Sequence, residues 1–240
     1  MRGSKGSSPA ALGEATGSAA ALSPVQVRVK ICGITNLDDA RVAADAGADF
    51  IGFIFWEKSP RYVDPRATRR IVVELRGRNA ATKFIGVFVD ATLDAVSAAL
   101  EHVDFAQLHG SESPDLLRRL GSRAFKSLRP RDADDARALV EKYRGAVNGR
   151  APTFLVDAYH PQKIGGTGIR ADGGIAAEIA REFPILLAGG LKPENVADAI
   201  RAVAPWGVDV ASGVERAPGL KDHAKVRRFV ENAKAESRRQ

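Results

Sequence analysis

Short apolar runs rich in β-branched residues alternate with longer amphipathic segments from residue 26 onward. Runs of this length predict β-strands, and the apolar spacing of the segments between them is typical of helices. The predicted strands are 27–32, 50–55, 83–89, 105–109, 124–128, 153–157, 185–189 and 207–212. Eight strands that alternate with helices over short links predict a parallel sheet.

Capping patterns mark where several of the helices begin. Asp64 and Ser113 each precede a proline, which suits the first position of a helix. Thr35 and Asp38 have the spacing of a capping box, which predicts that Thr35 caps the first helix. These signals place a helix after each of the corresponding strands.

The number of strand–helix units matches a closed (β/α)8 TIM barrel, an α/β fold that forms one domain. We assign this barrel to residues 25–240, with an open, doubly wound sheet as the alternative. Residues 1–24 are rich in glycine, alanine and serine and show no periodic apolar face, so we expect a flexible, disordered tail.

Composition narrows the class of protein. The single cysteine excludes an internal disulfide and fits a reducing compartment, so we expect a cytoplasmic protein. No apolar run approaches the roughly 18 residues of a spanning helix, so no membrane partner is expected. The net charge of +7 is spread over many segments without aromatic interleaving, which favours a small anionic substrate over nucleic acid. No metal-ligand spacing appears, and no GxGxxG motif precedes a helix.

A lysine and a cysteine share one face of the first predicted strand. Side chains alternate along a strand, so Lys30 and Cys32 point into the barrel, where an unpaired lysine is costly. Asp209 has the same inward parity on the eighth strand, which adjoins the first in a closed barrel, and we expect an ion pair between Lys30 and Asp209. Because a nearby ammonium favours the thiolate, Cys32 is a candidate base; alternatively it is a small buried residue.

Asp157 ends the sixth predicted strand and therefore shares the mouth of the barrel with Cys32. A partly buried carboxyl there can act as a general acid, although a helix cap or a surface turn is the simpler alternative. Glycine loops follow strands seven and eight, with Gly190 in one and Ser212 and Gly213 in the other. Such loops, with the N-terminus of the next helix, can bind phosphate.

Three further polar residues are candidates for the mouth. Arg61, after the second strand, has a planar guanidinium that can bind a substrate carboxylate, although a solvated surface arginine is the commoner case. Gln107 and His109 share the inward parity of strand four. We interpret Gln107 as a supporting polar group and leave the role of His109 open. The GGTG segment at 165–168 predicts either a hinged lid or a flexible turn.

Taken in order, the motifs of residues 26–235 resemble those of the phosphoribosylanthranilate isomerases of tryptophan biosynthesis. The matching segments are VKICGIT (29–35), GADFIGFIF (47–55), SPRYV (59–63), VFVD (87–90), QLHG (107–110), LVDAY (155–159), GGTG (165–168), LAGGLKPENV (187–196), and DVASGVE with PGLKD (209–222). The segment IRADGGIA after GGTG departs from the family pattern, which puts closure of that loop over the substrate in question. The tail has no counterpart in the family.

The resemblance implies an Amadori rearrangement of N-(5-phosphoribosyl)anthranilate to 1-(2-carboxyphenylamino)-1-deoxyribulose 5-phosphate without cofactor. It implies that Asp157 is the general acid and Cys32 the general base. It also implies that Arg61 binds the anthranilate carboxylate. Gly190, Ser212 and Gly213 match the family's phosphate loops, and the family includes both monomers and homodimers.

Other functions remain open at the level of sequence. A related barrel isomerase of histidine biosynthesis uses an aspartate where this chain has Cys32. The cysteine and the SPRYV motif argue against that function as the main one, and a weak second activity stays open. Indole-glycerol-phosphate synthase needs a catalytic lysine in a motif that is not found here. An inactive barrel that binds a phosphorylated ligand would lose the acid or the base, and a nucleic-acid-binding protein would show strongly salt-dependent binding.

Overall fold

The strands of this chain pair in parallel and in sequence order, and the first pairs with the last. We analysed a computed structural model that describes residues 26–78, 81–147, 152–157 and 172–237. Over these residues eight strands form a closed barrel. Lys30 pairs with Phe50 on one side and with Asp209 on the other, which closes the ring. The predicted (β/α)8 TIM barrel is confirmed, and the open-sheet alternative is wrong.

The observed strands lie within the predicted runs: the fifth covers its whole run, and the others are one or two residues shorter. They are β1 (Arg28–Cys32), β2 (Phe50–Ile54), β3 (Lys83–Phe88), β4 (Phe105–Leu108), β5 (Ala124–Leu128), β6 (Phe154–Val156), β7 (Ile185–Leu187) and β8 (Gly207–Val210). A short hairpin of β9 (Glu215–Ala217) and β10 (Leu220–Lys221) follows the barrel strands.

A helix follows each strand of the barrel. The helices are α1 (Leu37–Asp45), α2 (Pro65–Arg76), α3 (Leu93–Ala99), α4 (Pro114–Leu120), α5 (Ala133–Arg144), α6 (Gly173–Glu182), α7 (Val196–Val203) and α8 (His223–Ser237). Two 3₁₀ turns, at Gly121–Arg123 and Ser212–Val214, complete the regular structure.

Local capping explains where three of these helices begin. The Asp64 side chain accepts hydrogen bonds from the N–H groups of Arg66 and Ala67, and Ser113 Oγ accepts one from Leu116, as predicted. The prediction for Thr35 is wrong. Asn36 caps α1, because its Oδ1 accepts the N–H of Asp39, whereas Thr35 Oγ1 donates 2.6 Å to the carbonyl of Gly219. A long-range contact thus takes the Thr35 hydroxyl, and the next residue supplies the local cap.

The core has two layers, and the inner one determines where a substrate can bind. Most buried apolar side chains lie between the strands and the helices. A smaller cluster fills the inside of the barrel: Phe50, Ile85, Phe125, Leu155, Leu186 and Ala188. Phe105 and Trp206 pack against this cluster, and both contact the ring of Phe50. The interior is therefore packed with side chains, and its polar inward positions lie toward the carboxyl ends of the strands.

Two sequence predictions concern residues that the structure does not describe. The tail at 1–24 and the GGTG segment at 165–168 lie outside the described residues, so both remain predictions. None of the helices in the described ranges has the length and apolar character that a bilayer crossing requires.

Candidate active site

The carboxyl ends of the strands bring together most of the side chains singled out from the sequence. Lys30 and Cys32 lie on β1, Asp157 follows β6 directly and Asp209 lies on β8. A cavity at this mouth is lined by Asp157, Asp209 and residues 188–191 and 210–213. Residues from both halves of the chain therefore meet at one mouth because parallel strands all end on the same face.

The predicted ion pair between Lys30 and Asp209 is present. Lys30 Nζ lies 2.8 Å from Asp209 Oδ1, and the lysine side chain is fully buried. Burial by itself would lower the pKa of Lys30, but the charges of Asp209 and Cys32 outweigh this and raise it overall. Lys30 therefore stays charged inside the barrel, directly beneath the mouth.

Cys32 occupies a small buried space next to this lysine. A Cβ atom at Gly52 would lie 2.9 Å from Cys32 Sγ and 3.1 Å from Lys30 Nζ, so the absence of a side chain on β2 makes room for both groups. Burial raises the pKa of the Cys32 thiol, Lys30 lowers it, and Asp209 raises it again, with a net increase. The expected effect of Lys30, which favours the thiolate, is present, but burial is the larger effect and the pKa is raised overall.

Asp157 is held at the mouth by its backbone, and its carboxyl group faces the ring of His109. Its N–H donates 2.9 Å to the carbonyl of Leu128 at the end of β5. The residue is only 8% exposed, and its Oδ2 lies 3.6 Å from Nε2 of His109. The partial burial that a general acid needs is therefore present, and the surface-turn alternative does not fit.

Gln107 connects the wall of the barrel to the ring of His109. Its Nε2 lies 2.9 Å from Nδ1 of His109 and 3.1 Å from Oγ of Ser127. Both Gln107 and His109 are buried. His109, which the sequence left open, thus lies between a side-chain amide and the candidate acid.

Arg61 is not the solvated arginine that its loop position suggests. It is 8% exposed, and its Nε and Nη2 donate to the two carboxylate oxygens of Glu215 at 2.8 and 2.7 Å. Lys221 Nζ contacts the same carboxylate at 2.9 Å. The two-pronged contact expected for a substrate carboxylate is therefore already made by Glu215. Within the described residues, Nη1 is the guanidinium nitrogen without a hydrogen-bond partner.

The two glycine loops pack directly against each other. Gly189 and Gly190 have φ of +89° and +63°, a left-handed backbone that glycine adopts without strain. A Cβ at Gly213 would lie 1.8 Å from the carbonyl oxygen of Leu191, so only glycine lets the loops approach this closely. Asn195 Nδ2 donates 3.0 Å to the carbonyl of Gly190 and holds that loop.

The backbone of these loops is suited to an anion. No acceptor among the described residues binds the N–H of Gly190, Ser212 or Gly213. The expected help from the next helix is wrong for the second loop, because the hairpin intervenes and α8 begins only at His223. The loop N–H groups themselves, rather than the positive end of α8, are therefore the donors at this position that could bind an anion.

A family model described as N-(5'phosphoribosyl)anthranilate (PRA) isomerase matches residues 29–232. The chain belongs to this family. A relative named N-(5'-phosphoribosyl)anthranilate isomerase from Geobacter sp. (strain M21) is 47% identical over 209 residues, which are 86% of this chain and 98% of the relative. The one from Thiobacillus denitrificans is 43% identical over 213 residues, 87% of this chain and 98% of the relative.

Solved structures of the same family have the same fold. The phosphoribosyl anthranilate isomerase of Thermotoga maritima is 37% identical, with a TM-score of 0.77 over 87% of this chain and 99% of that one. A structure of the enzyme in complex with reduced 1-(o-carboxyphenylamino)-1-deoxyribulose 5-phosphate is 36% identical, with a TM-score of 0.74 and the same coverage. This chain is accordingly an isomerase of the family that serves tryptophan biosynthesis.

Sequence reasoning missed several charged groups of this isomerase. Glu215 and Lys221 lie in the hairpin after β8, where a local pattern gives no sign that Glu215 meets both Lys221 and Arg61. Lys126 and Glu112 form a second buried ion pair at 3.0 Å, and Lys126 also donates to the carbonyl of Gly110 at 2.7 Å. The signal for Lys126 was available, because a lysine in the middle of a buried strand needs a partner, as Lys30 does.

The second ion pair holds the loop that carries His109. Glu112 Oε1 accepts the N–H groups of Asp90 and Gly110, each at 3.0 Å, and Tyr143 donates to the Glu112 carbonyl at 2.7 Å. Burial, as the largest effect, lowers the pKa of Lys126 despite Glu112.

In the part of the chain that the structure describes, no group of His, Cys, Asp and Glu side chains has the arrangement of a metal site.

Proposed function

We propose that this chain converts N-(5-phosphoribosyl)anthranilate to 1-(2-carboxyphenylamino)-1-deoxyribulose 5-phosphate, with Asp157 as general acid and Cys32 as general base. Membership of the isomerase family supports the reaction. The observation that carries the residue assignment is the placement of a buried carboxyl and a buried thiol at one mouth, beside two loops with free N–H groups.

The acid step begins at the ring oxygen of the ribose. Asp157 gives its proton to this oxygen, the bond from the oxygen to C1′ breaks, and the electron pair becomes that of a hydroxyl group. The lone pair of the anthranilate nitrogen forms a C=N bond to C1′, which gives a cationic Schiff base. General acid catalysis of this kind contributes roughly 10²- to 10⁴-fold.

The base step acts on the neighbouring carbon. The positive Schiff base acidifies the proton at C2′, and the thiolate of Cys32 removes it to give an enolamine, which tautomerises to the ketone. The raised pKa of Cys32 makes the thiolate a stronger base but reduces its population at neutral pH. Lys30, next to the thiol, limits this increase and so keeps the base usable.

The anionic ends of the substrate define its orientation. The N–H groups of Gly190, Ser212 and Gly213 would bind the phosphate, and the remaining Nη1 of Arg61 would bind the anthranilate carboxylate. Glu215 then has a role as well, because it holds the guanidinium in place from the opposite edge. Lys30, Asp209 and Gln107 support the acid and the base without a proposed contact to substrate.

The test uses the fluorescence of phosphoribosylanthranilate generated in situ. The wild-type chain should consume it rapidly, whereas Cys32→Ser and Asp157→Asn should each lose turnover while keeping the wild-type circular dichroism. Asp134→Asn is the matched control, because the Asp134 side chain is 91% exposed on α5. A folded wild type that leaves the fluorescence unchanged would overturn the proposed function. Turnover by Cys32→Ser at the wild-type rate would overturn the base assignment alone.

Two wider proposals accompany this activity. We infer a cytoplasmic enzyme that acts as a monomer or a homodimer on a small phosphorylated substrate, without nucleic acid or cofactor. The enzyme of Thermotoga maritima is described as dimeric, and monomers of it have also been crystallised. Analytical ultracentrifugation of this chain would distinguish a monomer from a homodimer.

A further inference from the structure

His109 has one ring nitrogen bonded and the other directed at the candidate acid. The residue is 7% exposed. Nδ1 lies 2.9 Å from Gln107 Nε2, while Nε2 is buried without a hydrogen-bond partner and lies 3.6 Å from Asp157 Oδ2. A buried ring nitrogen that faces a carboxylate just beyond bonding distance is available for a contact that forms during the reaction.

The amide of Gln107 determines which ring nitrogen carries the proton. Its Nε2 has two hydrogens and faces two acceptors, Ser127 Oγ and His109 Nδ1. Gln107 Oε1 is buried without a hydrogen-bond partner. If the amide were turned over, its NH₂ group would occupy that position, and two donor hydrogens instead of one acceptor oxygen would lack a partner. If Nδ1 of His109 accepts from the amide, the neutral ring carries its hydrogen on Nε2, toward Asp157.

We propose that His109, held by Gln107 as the neutral Nε2–H tautomer, is the positioning residue of the general acid Asp157. During the reaction the Nε2–H group comes within bonding distance of Oδ2 and donates to it, which leaves Oδ1 to carry the proton that goes to the substrate. No proton leaves His109 in this step. The inference rests on the proposed function, because it assigns a role toward the acid of that reaction.

This contact strengthens as the reaction proceeds. When Oδ1 gives its proton to the ring oxygen, negative charge spreads over both carboxylate oxygens, and a hydrogen bond to an ionised acceptor is stronger than one to a neutral carboxyl. An interaction that is stronger in the transition state than before it raises kcat rather than lowering KM. An imidazolium at this position would instead hold Asp157 ionised beforehand and deprive it of the proton to be delivered.

The test compares two substitutions of similar volume. His109→Gln keeps an N–H donor near the position of Nε2, whereas His109→Leu removes it. We expect His109→Leu to lose about 10- to 100-fold in kcat with little change in KM, and His109→Gln to recover most of that loss. His102→Leu, on a histidine outside the mouth, is the control. Equal losses in both His109 variants, or wild-type kcat in His109→Leu, would overturn the proposal.

A second readout does not depend on turnover. Long-range ¹H–¹⁵N correlation spectra distinguish the two neutral tautomers and the imidazolium of a histidine ring. The signals that disappear in His109→Gln belong to His109 and should show the Nε2–H form, and Gln107→Glu should convert them to the imidazolium pattern while lowering kcat. An Nδ1–H form in the wild type would overturn the inference.

The two readouts distinguish the possible failures. If the folded wild type does not convert phosphoribosylanthranilate, the proposed function fails, and the catalytic role of His109 fails with it even when the spectra show Nε2–H. If the wild type is active and His109→Leu equals it, only the positioning role fails. Thermal denaturation of each variant confirms that the compared proteins are folded.

Discussion

Lys30 on β1 and Asp209 on β8 are directly paired in the register that closes the barrel, with Nζ and Oδ1 2.8 Å apart. The pair lies beneath Cys32, so the same contact joins the first and last strands and sets the charge around the candidate base. Removal of one partner of a buried pair leaves the other charge uncompensated, which costs far more than the pair itself contributes.

Asp209→Asn should therefore destabilise the protein, by about 3–5 kcal/mol in urea denaturation. The double variant Lys30→Met with Asp209→Asn should regain part of this loss, because the uncompensated charge is then absent. Glu74→Gln is the control, since it removes an ion pair of the same 2.8 Å length at the surface. Coincident denaturation curves for Asp209→Asn and the wild type would contradict the prediction.

Cys32 should react slowly with iodoacetamide at neutral pH and faster as the pH rises. Burial raises the pKa of the thiol, so the reactive thiolate is scarce at neutral pH and becomes common only above the ordinary thiol range, near 8.5. Turnover should rise over the same alkaline range if Cys32 is the base. Mass spectrometry measures the labelling directly, because this is the single cysteine of the chain. A labelling rate that is constant from about pH 6 to 9 would show that a thiolate is already present.

Gly213→Ala should weaken phosphate binding. The added methyl group would meet the carbonyl of Leu191 at 1.8 Å, so the two glycine loops must separate, at a cost of about 1–3 kcal/mol in stability. KM should rise by at least about tenfold, equal to the loss of about 1.4 kcal/mol of binding, and inhibition by inorganic phosphate should weaken in parallel. Gly145→Ala is the matched control, because nothing lies within 4 Å of a Cβ there. Equal KM values for both variants would argue against the loop contact.

Glu215→Gln should change how stability depends on pH. Burial would raise the pKa of Glu215, but the hydrogen bond from Arg61 and the charge of Lys221 outweigh it and lower the pKa below its ordinary value. Because its pKa is lower in the folded protein, ionised Glu215 stabilises the fold at pH values above its pKa in the unfolded chain, near 4.5. This stabilisation is lost as the pH falls through the lower pKa of the folded protein. Below the unfolded-state pKa of Glu215, the Tm of the wild type should therefore fall more steeply with decreasing pH than the Tm of Glu215→Gln. The exposed Glu194→Gln serves as control, and parallel curves for Glu215→Gln and the wild type would refute the prediction.

Several features could be predicted from sequence because their signals are local or follow from the closure of the barrel. The caps at Asp64 and Ser113 depend on side chains next to the helix, and strand parity placed Lys30 on the inner face. Knowledge that strand eight adjoins strand one was enough to pair Lys30 with Asp209. The failed cap at Thr35 shows the limit of local patterns, because its hydroxyl bonds to Gly219, 184 residues away.

The environment of each candidate group required the tertiary structure. Arg61 was expected to hold a substrate carboxylate with its guanidinium, but Glu215 makes the two-pronged contact from 154 residues further along the chain. The net pKa of Cys32 depends on burial as well as on charge, and burial cannot be read from alternation alone. The role of His109 likewise depends on a ring orientation that only its packing against Gln107 and Asp157 defines.

The sequence by itself determined the fold, the family and the identity of the acid and base candidates, because alternation of apolar residues and the motifs after each strand are properties of contiguous segments. Only the tertiary structure decided which charges meet, which groups are buried and which donors remain free. These depend on side chains from distant strands converging at one mouth, where small differences in distance and solvent exposure determine the electrostatic energy.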